Sequence, residues 1–200
     1  MKKHKLAFVD IETTGLDPFR HEIVEIGIVL SEQKGDLFGL PAPRRALHSD
    51  WQAGKQSLEL ISEHELLLRP EHVETADPKS LGVAKYDKHK WEKAVSQKEG
   101  IAWAAMLLQG TVFVAQNVSF DWGFLRKAGN EYGVDFEKAV HYHKLDLASM
   151  VFGKLYHDPK LSKFTLREMT EYFGVKNENA HTALADARAT FEVCKRLLAL

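Results

Sequence analysis

Two short apolar, β-branched runs near the start of the chain, residues 6–11 and 23–30, do most to limit what it can become. The segment between them carries Gly15, Asp17 and Pro18, so the pair reads as neighbouring strands joined by a loop, a hairpin or meander. Apolar character returns at 58–68, ahead of Pro70. Further on, Trp91, Ala94, Val95, Ile101, Ala102, Ala105 and Leu108 recur at helix-like intervals over 91–109, with Gly100 as the place where that helix would divide. Residues 111–115 read as a buried strand, and helical stretches are expected over 120–131, 144–152 and 182–198. Thr165, Leu166, Arg167 and Glu168 form a capping-box pattern that opens a helix through Phe173, with Gly174 as its stop. Strands first, helix-linked strands after, and no internal repeat predict a single α/β domain over 1–200, a central mixed sheet flanked by helices.

Composition narrows the function. Lysine and arginine total 27 against 28 acidic residues, so the chain has no global positive field, and a phosphate-binding site must be local or built from cations the chain does not supply. The single cysteine, Cys194, excludes an internal disulfide and reads as a core residue in a reducing compartment. Only four apolar residues stand between the charged start and Asp10, too few for a signal-peptide core, and no apolar run approaches the ~20 residues of a membrane span. A cytoplasmic protein with no membrane partner is expected.

Three places offer chemistry. Asp10 and Glu12 lie two apart in an apolar strand and so share a face; held together they repel, and either one takes up a proton or a cation fills the gap. A hard divalent ion suits carboxylate oxygens. The alternative is a solvated pair at a strand end. Asp121, in Asn117-Val118-Ser119-Phe120-Asp121, follows the strand at 111–115, where open α/β sheets place ligands; as a helix N-terminal aspartate it would equally suit the helix dipole. Asp186 falls in a helix of small and apolar residues, either on the wet side or facing a pocket, with His181 at or just before the helix start.

Together the segments Phe8-Val9-Asp10-Ile11-Glu12-Thr13-Thr14-Gly15-Leu16, Asn117 through Leu125, and His181-Thr182-Ala183-Leu184-Ala185-Asp186-Ala187 resemble the three motifs of the DEDDh, or DnaQ-like, 3′-to-5′ exonucleases. The resemblance spans residues 6–198. Four residues between His181 and Asp186 match the histidine-bearing branch of that family.

The resemblance implies a ribonuclease H-like fold and two magnesium or manganese ions held by Asp10, Glu12, Asp121 and Asp186. Asp10 would bridge both ions, Glu12 and Asp186 would complete the first, and Asp121 would help hold the second, partly through water. His181 would be the general base toward the attacking water, and the product a nucleoside 5′-monophosphate. It further implies that Thr13 and Thr14 contact the terminal sugar, that Leu16 wedges against the terminal base and that Asn117 approaches the substrate strand; turn formation or capping is the plainer use of each. The partners implied are single-stranded 3′ ends of DNA or RNA and, for a proofreading-type domain, a DNA polymerase. A catalytically silent module that binds nucleic-acid ends is the alternative, against which the intact acidic set and His181 argue. Two departures stand out. Gln116 occupies the place where many members carry histidine, and the connection over 33–57, with Arg44, Arg45, His48 and Trp51, is long enough either to bring cationic and stacking groups to a strand or to be a plain surface excursion.

Overall fold

The computed structural model describes residues 5–34 and 57–200. The long connection expected to carry Arg44, Arg45, His48 and Trp51 falls outside the described residues. β1 (Lys5–Thr13) and β2 (Ile23–Lys34) pair antiparallel as the expected neighbouring strands, and the apolar run that follows adds β3 (Ser57–Leu67) antiparallel to β2. After it come α1 (Pro78–Val83), α2 (Lys88–Glu92), α3 (Gln97–Leu107), β4 (Val112–Ala115), α4 (Val118–Tyr132), α5 (Phe136–Ala139), β5 (Lys144–Asp146), α6 (Leu147–Leu155), α7 (Leu166–Phe173) and α8 (Ala183–Leu198). β4 joins β1 and β5 joins β4, both parallel, giving one mixed sheet in the order β3-β2-β1-β4-β5. This is the predicted ribonuclease H-like arrangement.

The alternation of β1 divides the core between the two sheet faces. Ala7, Val9 and Ile11 pack with Ile101 and Ala104 of α3, with its C-cap Leu108 and with Trp122, Phe124 and Leu125 of α4. Leu6 and Phe8 point the other way, into a cluster with Leu147, Met169, Phe191 and Cys194 from α6, α7 and α8. Cys194 is a core residue as expected, and burial pushes its thiol up to about 12.

Three local readings are corrected. The helix over 91–109 breaks at Ser96 rather than at Gly100: Ser96 and Glu99 make a reciprocal capping box that starts α3 afresh, and Gly100 lies inside the helix, packed on Leu68. The helix expected over 144–152 begins as a strand, because Lys144, Leu145 and Asp146 pair with Phe113, Val114 and Ala115, and Asp146 then caps α6 through Ser149 N at 2.7 Å. At Thr165 only half of the capping box forms. The Thr165 hydroxyl accepts from Glu168 N, but the Glu168 carboxylate takes the backbone of residues 162–164 instead of turning back to Thr165.

Candidate active site

β1 outruns β4. Their parallel pairing covers Leu6, Ala7 and Phe8, after which the chain of β4 turns away into α4, and this parting opens a cleft at the carboxyl end of the sheet. The N–H of Ile11, beyond the last paired residue, finds Asp121 Oδ1 at 3.1 Å. Asp121 is buried in the first turn of α4 and is thereby fixed to the strand that carries Asp10 and Glu12. Those two continue the face of Leu6 and Phe8, which is the face that α8 covers.

α8 reaches the carboxylates because β2 lets it. Gly27 is the register partner of Asp10, and a Cβ built at Gly27 would collide with the backbone of Ala183 and Leu184, so only glycine allows the helix this close. Glu25, partner of Glu12 and 2% exposed, accepts from Ala183 N at 2.8 Å. Thr182, the N-cap, makes no side-chain cap bond, so Glu25 caps α8 from another strand. Asp186, one turn in, is buried; its Oδ1 accepts from Asn177 Nδ2 at 2.6 Å and its Oδ2 from His181 N at 3.2 Å. His181 enters the helix with φ 67, a left-handed conformation that histidine tolerates better than most side chains, and its ring is exposed. Glu12, His181 and Asp186 each present a ligand atom within 4.8 Å of the others.

So many acids in one cleft cannot all stay ionised cheaply. Burial first, and then Asp121, Asp186, Glu12 and Glu25, hold Asp10 well above the usual carboxylate range. Glu12 is raised to about 7 by burial and by Asp186 and Glu25, against a lowering pull from Lys85. Asp121 is raised to about 8, chiefly by burial, although the backbone N–H groups of Asp121 and Ile11 oppose it. A cation placed among these oxygens would reverse the penalty, and carboxylates with the His181 imidazole beside them are a donor set that could hold a divalent ion.

The polar groups expected to meet substrate are placed differently from one another. Thr13 and Thr14 are buried: the Thr13 hydroxyl donates to Gly15 O at 2.7 Å, and that of Thr14 accepts from Glu22 N at 2.9 Å, so both brace the loop after β1. Leu16 stands 76% exposed on that braced loop. Asn117 is exposed at the head of α4 and makes no capping bond. A cavity of about 410 Å³ adjoins the cleft, lined among others by Leu166, Arg167, Asn177, His181 and Asp186.

Sequence reasoning passed over Glu25, Gly27, Asn177 and Asp146. The last of these accepts from Val118 N at 3.0 Å and so ties the start of α4 to β5. A lone acid and a glycine within the otherwise apolar run 23–30 were the available signal for Glu25 and Gly27.

The RNase_T family model, described as Exonuclease, matches residues 7–194. The chain is 27% identical over 190 residues to a DNA polymerase III PolC-type of Caldanaerobacter subterraneus subsp. tengcongensis, covering 94% of this chain and 11% of that protein. It is 26% identical over 186 residues to the 3′-5′ exonuclease DinG of Staphylococcus epidermidis, covering 92% of this chain and 17% of that protein. It thus spans less than a fifth of the length of these curated relatives. Among solved structures, an exonuclease I superposes with a TM-score of 0.76 at 18% identity, over 96% of this chain and 40% of that one. The E. coli exonuclease I in complex with a dT13 oligonucleotide gives 0.72 at 17% identity, over 96% and 40%. Matched along nearly its whole length by that family model, the chain belongs to the exonuclease family.

Proposed function

We propose that this chain is a metal-dependent 3′-to-5′ exonuclease that releases nucleoside 5′-monophosphates from single-stranded ends of DNA or RNA. The observation that carries this reading is the convergence of Asp10, Glu12, Asp121 and Asp186 on one cleft, with the exposed ring of His181 at its mouth. The name of the DinG relative supports the polarity, and the oligonucleotide complex of exonuclease I supports a single strand as substrate. The PolC-type relative supports work alongside a DNA polymerase.

Asp10, Glu12, Asp121 and Asp186 would together hold the divalent metal. Bound there, magnesium or manganese would offset the phosphate charge, acidify an attacking water and stabilise the leaving 3′ oxygen. The protein's own groups do the rest. His181, facing solvent beside Glu12 and Asp186, accepts the water's proton on its imidazole. Asn177 and the N–H of His181 hold the Asp186 carboxylate in one orientation, and Glu25 with Gly27 sets the whole first turn of α8 against β1. Leu16, held out by the braced loop, meets the terminal base, and Asn117 meets the strand behind it.

The test is a 5′-labelled single strand incubated with and without magnesium. Shortening in single-nucleotide steps, slowed by a bulky 3′ block, is the expected result. Cleavage of a circular single strand would mark an endonuclease, and undiminished cleavage after exhaustive chelation would remove the metals.

A further inference from the structure

Beyond the cleft, a row of aromatic rings runs from the half-buried Phe164 to the exposed Phe152 and Tyr156. Gln116, the departure from the family's second motif, donates through Nε2 to the carbonyl of Phe164 at 3.0 Å. Phe164 has φ 53, a left-handed conformation that is uncommon for a bulky side chain and persists only when its surroundings over-determine it. They do: the Glu168 carboxylate accepts from the N–H groups of Ser162, Lys163 and Phe164 at 3.1, 2.7 and 2.8 Å, and from the Ser162 hydroxyl at 2.8 Å. The ring so presented meets Phe152 edge-on, with centroids 5.5 Å apart. Phe152 in turn lies 5.8 Å from Tyr156, which stacks on His157 at 3.5 Å.

Phe152 and Tyr156 are four residues apart at the end of α6 and are 54% and 55% exposed. The loop that carries Phe164 also carries the exposed Lys160 and Lys163. Arg167, in the first turn after it, lines the cavity that includes His181 and Asp186. The row is therefore tied to the cleft through Gln116, next to Asn117, while Arg167, three residues beyond Phe164, lines the adjoining cavity.

We infer that this row is the platform on which the single strand 5′ of the scissile linkage lies, its bases stacked on Phe152 and Tyr156 and its phosphates turned toward Lys160 and Lys163. The occupant follows from the chemistry: flat, solvent-facing rings with cations beside them suit unpaired bases joined by phosphates, whereas a duplex keeps its base faces to itself. The inference rests on the exonuclease reading, and it adds a binding surface that the three motifs do not contain.

The experiment compares a 5′-labelled oligothymidylate of about 12 nucleotides with one of about 3, in the parent and in Phe152→Ala/Tyr156→Ala, reading the ratio of kcat/KM between the long and the short strand. In the variant that ratio falls roughly tenfold or more, while Phe152→Tyr/Tyr156→Phe, which keeps both rings, restores it. Lys160→Gln/Lys163→Gln flattens the salt dependence of KM for the long strand. A ratio equal to the parent's, including one in which both strands lose activity together, overturns the platform and leaves the row to a protein partner or to packing. If the parent cleaves neither strand nor the matching oligouridylates, the exonuclease reading has failed, and fluorescence anisotropy with the long strand decides the platform alone: weaker binding by the alanine variant supports it, equal binding refutes it.

Discussion

Two groups of carboxylates in this protein sit in opposite surroundings. Glu168, at the start of α7, accepts three backbone N–H groups and a hydroxyl, and these donors pull it down to about 2. Asp10 and Glu12 accept no hydrogen bond among the described residues, are packed against other acids and are raised instead, Glu12 to about 7. The side-chain chemistry is the same; burial beside other acids raises the cleft pair, and donors at the surface lower Glu168. An exposed carboxylate surrounded by donors is held ionised, whereas a buried one beside its like is held unfavourably until something cationic relieves it.

The largest effect expected from breaking this contrast is at Asp10. Asp10→Asn removes a charge from the crowd, so cleavage falls by at least about 10³-fold while the metal-free protein melts higher than the parent. Chelation of the parent reproduces the loss of activity, magnesium or manganese restores it, and zinc, which prefers nitrogen and sulfur ligands, restores it poorly. A metal-free Asp10→Asn protein that melts well below the parent would place Asp10 with Glu168 in the scaffold.

His181→Ala comes next, with a loss of about 10² to 10⁴ in rate. Calorimetric binding of manganese should change little in the variant, because the carboxylates remain. A variant that loses metal as severely as Asp10→Asn would make His181 a ligand, which its position within 4.8 Å of Glu12 and Asp186 makes worth testing directly.

How much of this was legible in the sequence follows from the range of the contacts involved. Asp10 and Glu12 were readable because a strand's period of two places them on one face, and α8 was readable from its apolar spacing and small residues. The cleft became readable through three motifs in order rather than through any one of them. Glu25 and Gly27 were not, since their partner Ala183 is 158 residues beyond Glu25 and nothing local in β2 announces a helix end. β5 escaped because three residues are too few to carry a period, and its strand conformation comes from pairing with β4. The partial capping box at Thr165 shows the same limit at short range: a correct motif, with its glutamate drawn off by the loop before it.

A smaller effect concerns pH and the metal-free fold. Glu12 holds its proton to about 7 in the folded protein, against 4.5 ordinarily, so between those values the folded state binds more protons than the unfolded one. Stability is therefore greatest below about 4.5 on this account and is lost as pH rises toward 7, by about 3 kcal/mol at most for this group; Asp121, raised to about 8, extends the loss to higher pH. Thermal melting of the chelated protein from pH 5 to 8 should show the decline, and magnesium should flatten it. A metal-free melting temperature that rises across that window would show the cleft acids to be ionised without penalty, and the contrast with Glu168 would be void.

The smallest expected effect lies on the other side of the comparison, and its sign is reversed. In Glu168→Gln one carboxylate oxygen becomes an amide that is itself a donor. Whichever way the amide turns, it faces either the N–H and hydroxyl of Ser162 or the N–H groups of Lys163 and Phe164 with a donor against donors. The loop at 162–164 should loosen while α7, whose start is still capped by Thr165, remains. Melting should drop by roughly 2 to 4 °C near neutrality, and hydrogen exchange at the three loop amides should quicken while that of Met169 does not. Because the folded-state value of Glu168 is depressed, its contribution is complete above the ordinary carboxylate range and disappears as pH falls toward about 2. The melting curves of parent and variant should therefore converge in acid, the limb opposite to that of Glu12. Parallel curves down to pH 2 would mean that the charge on Glu168 contributes nothing to the loop, and that Phe164 keeps its left-handed backbone for another reason.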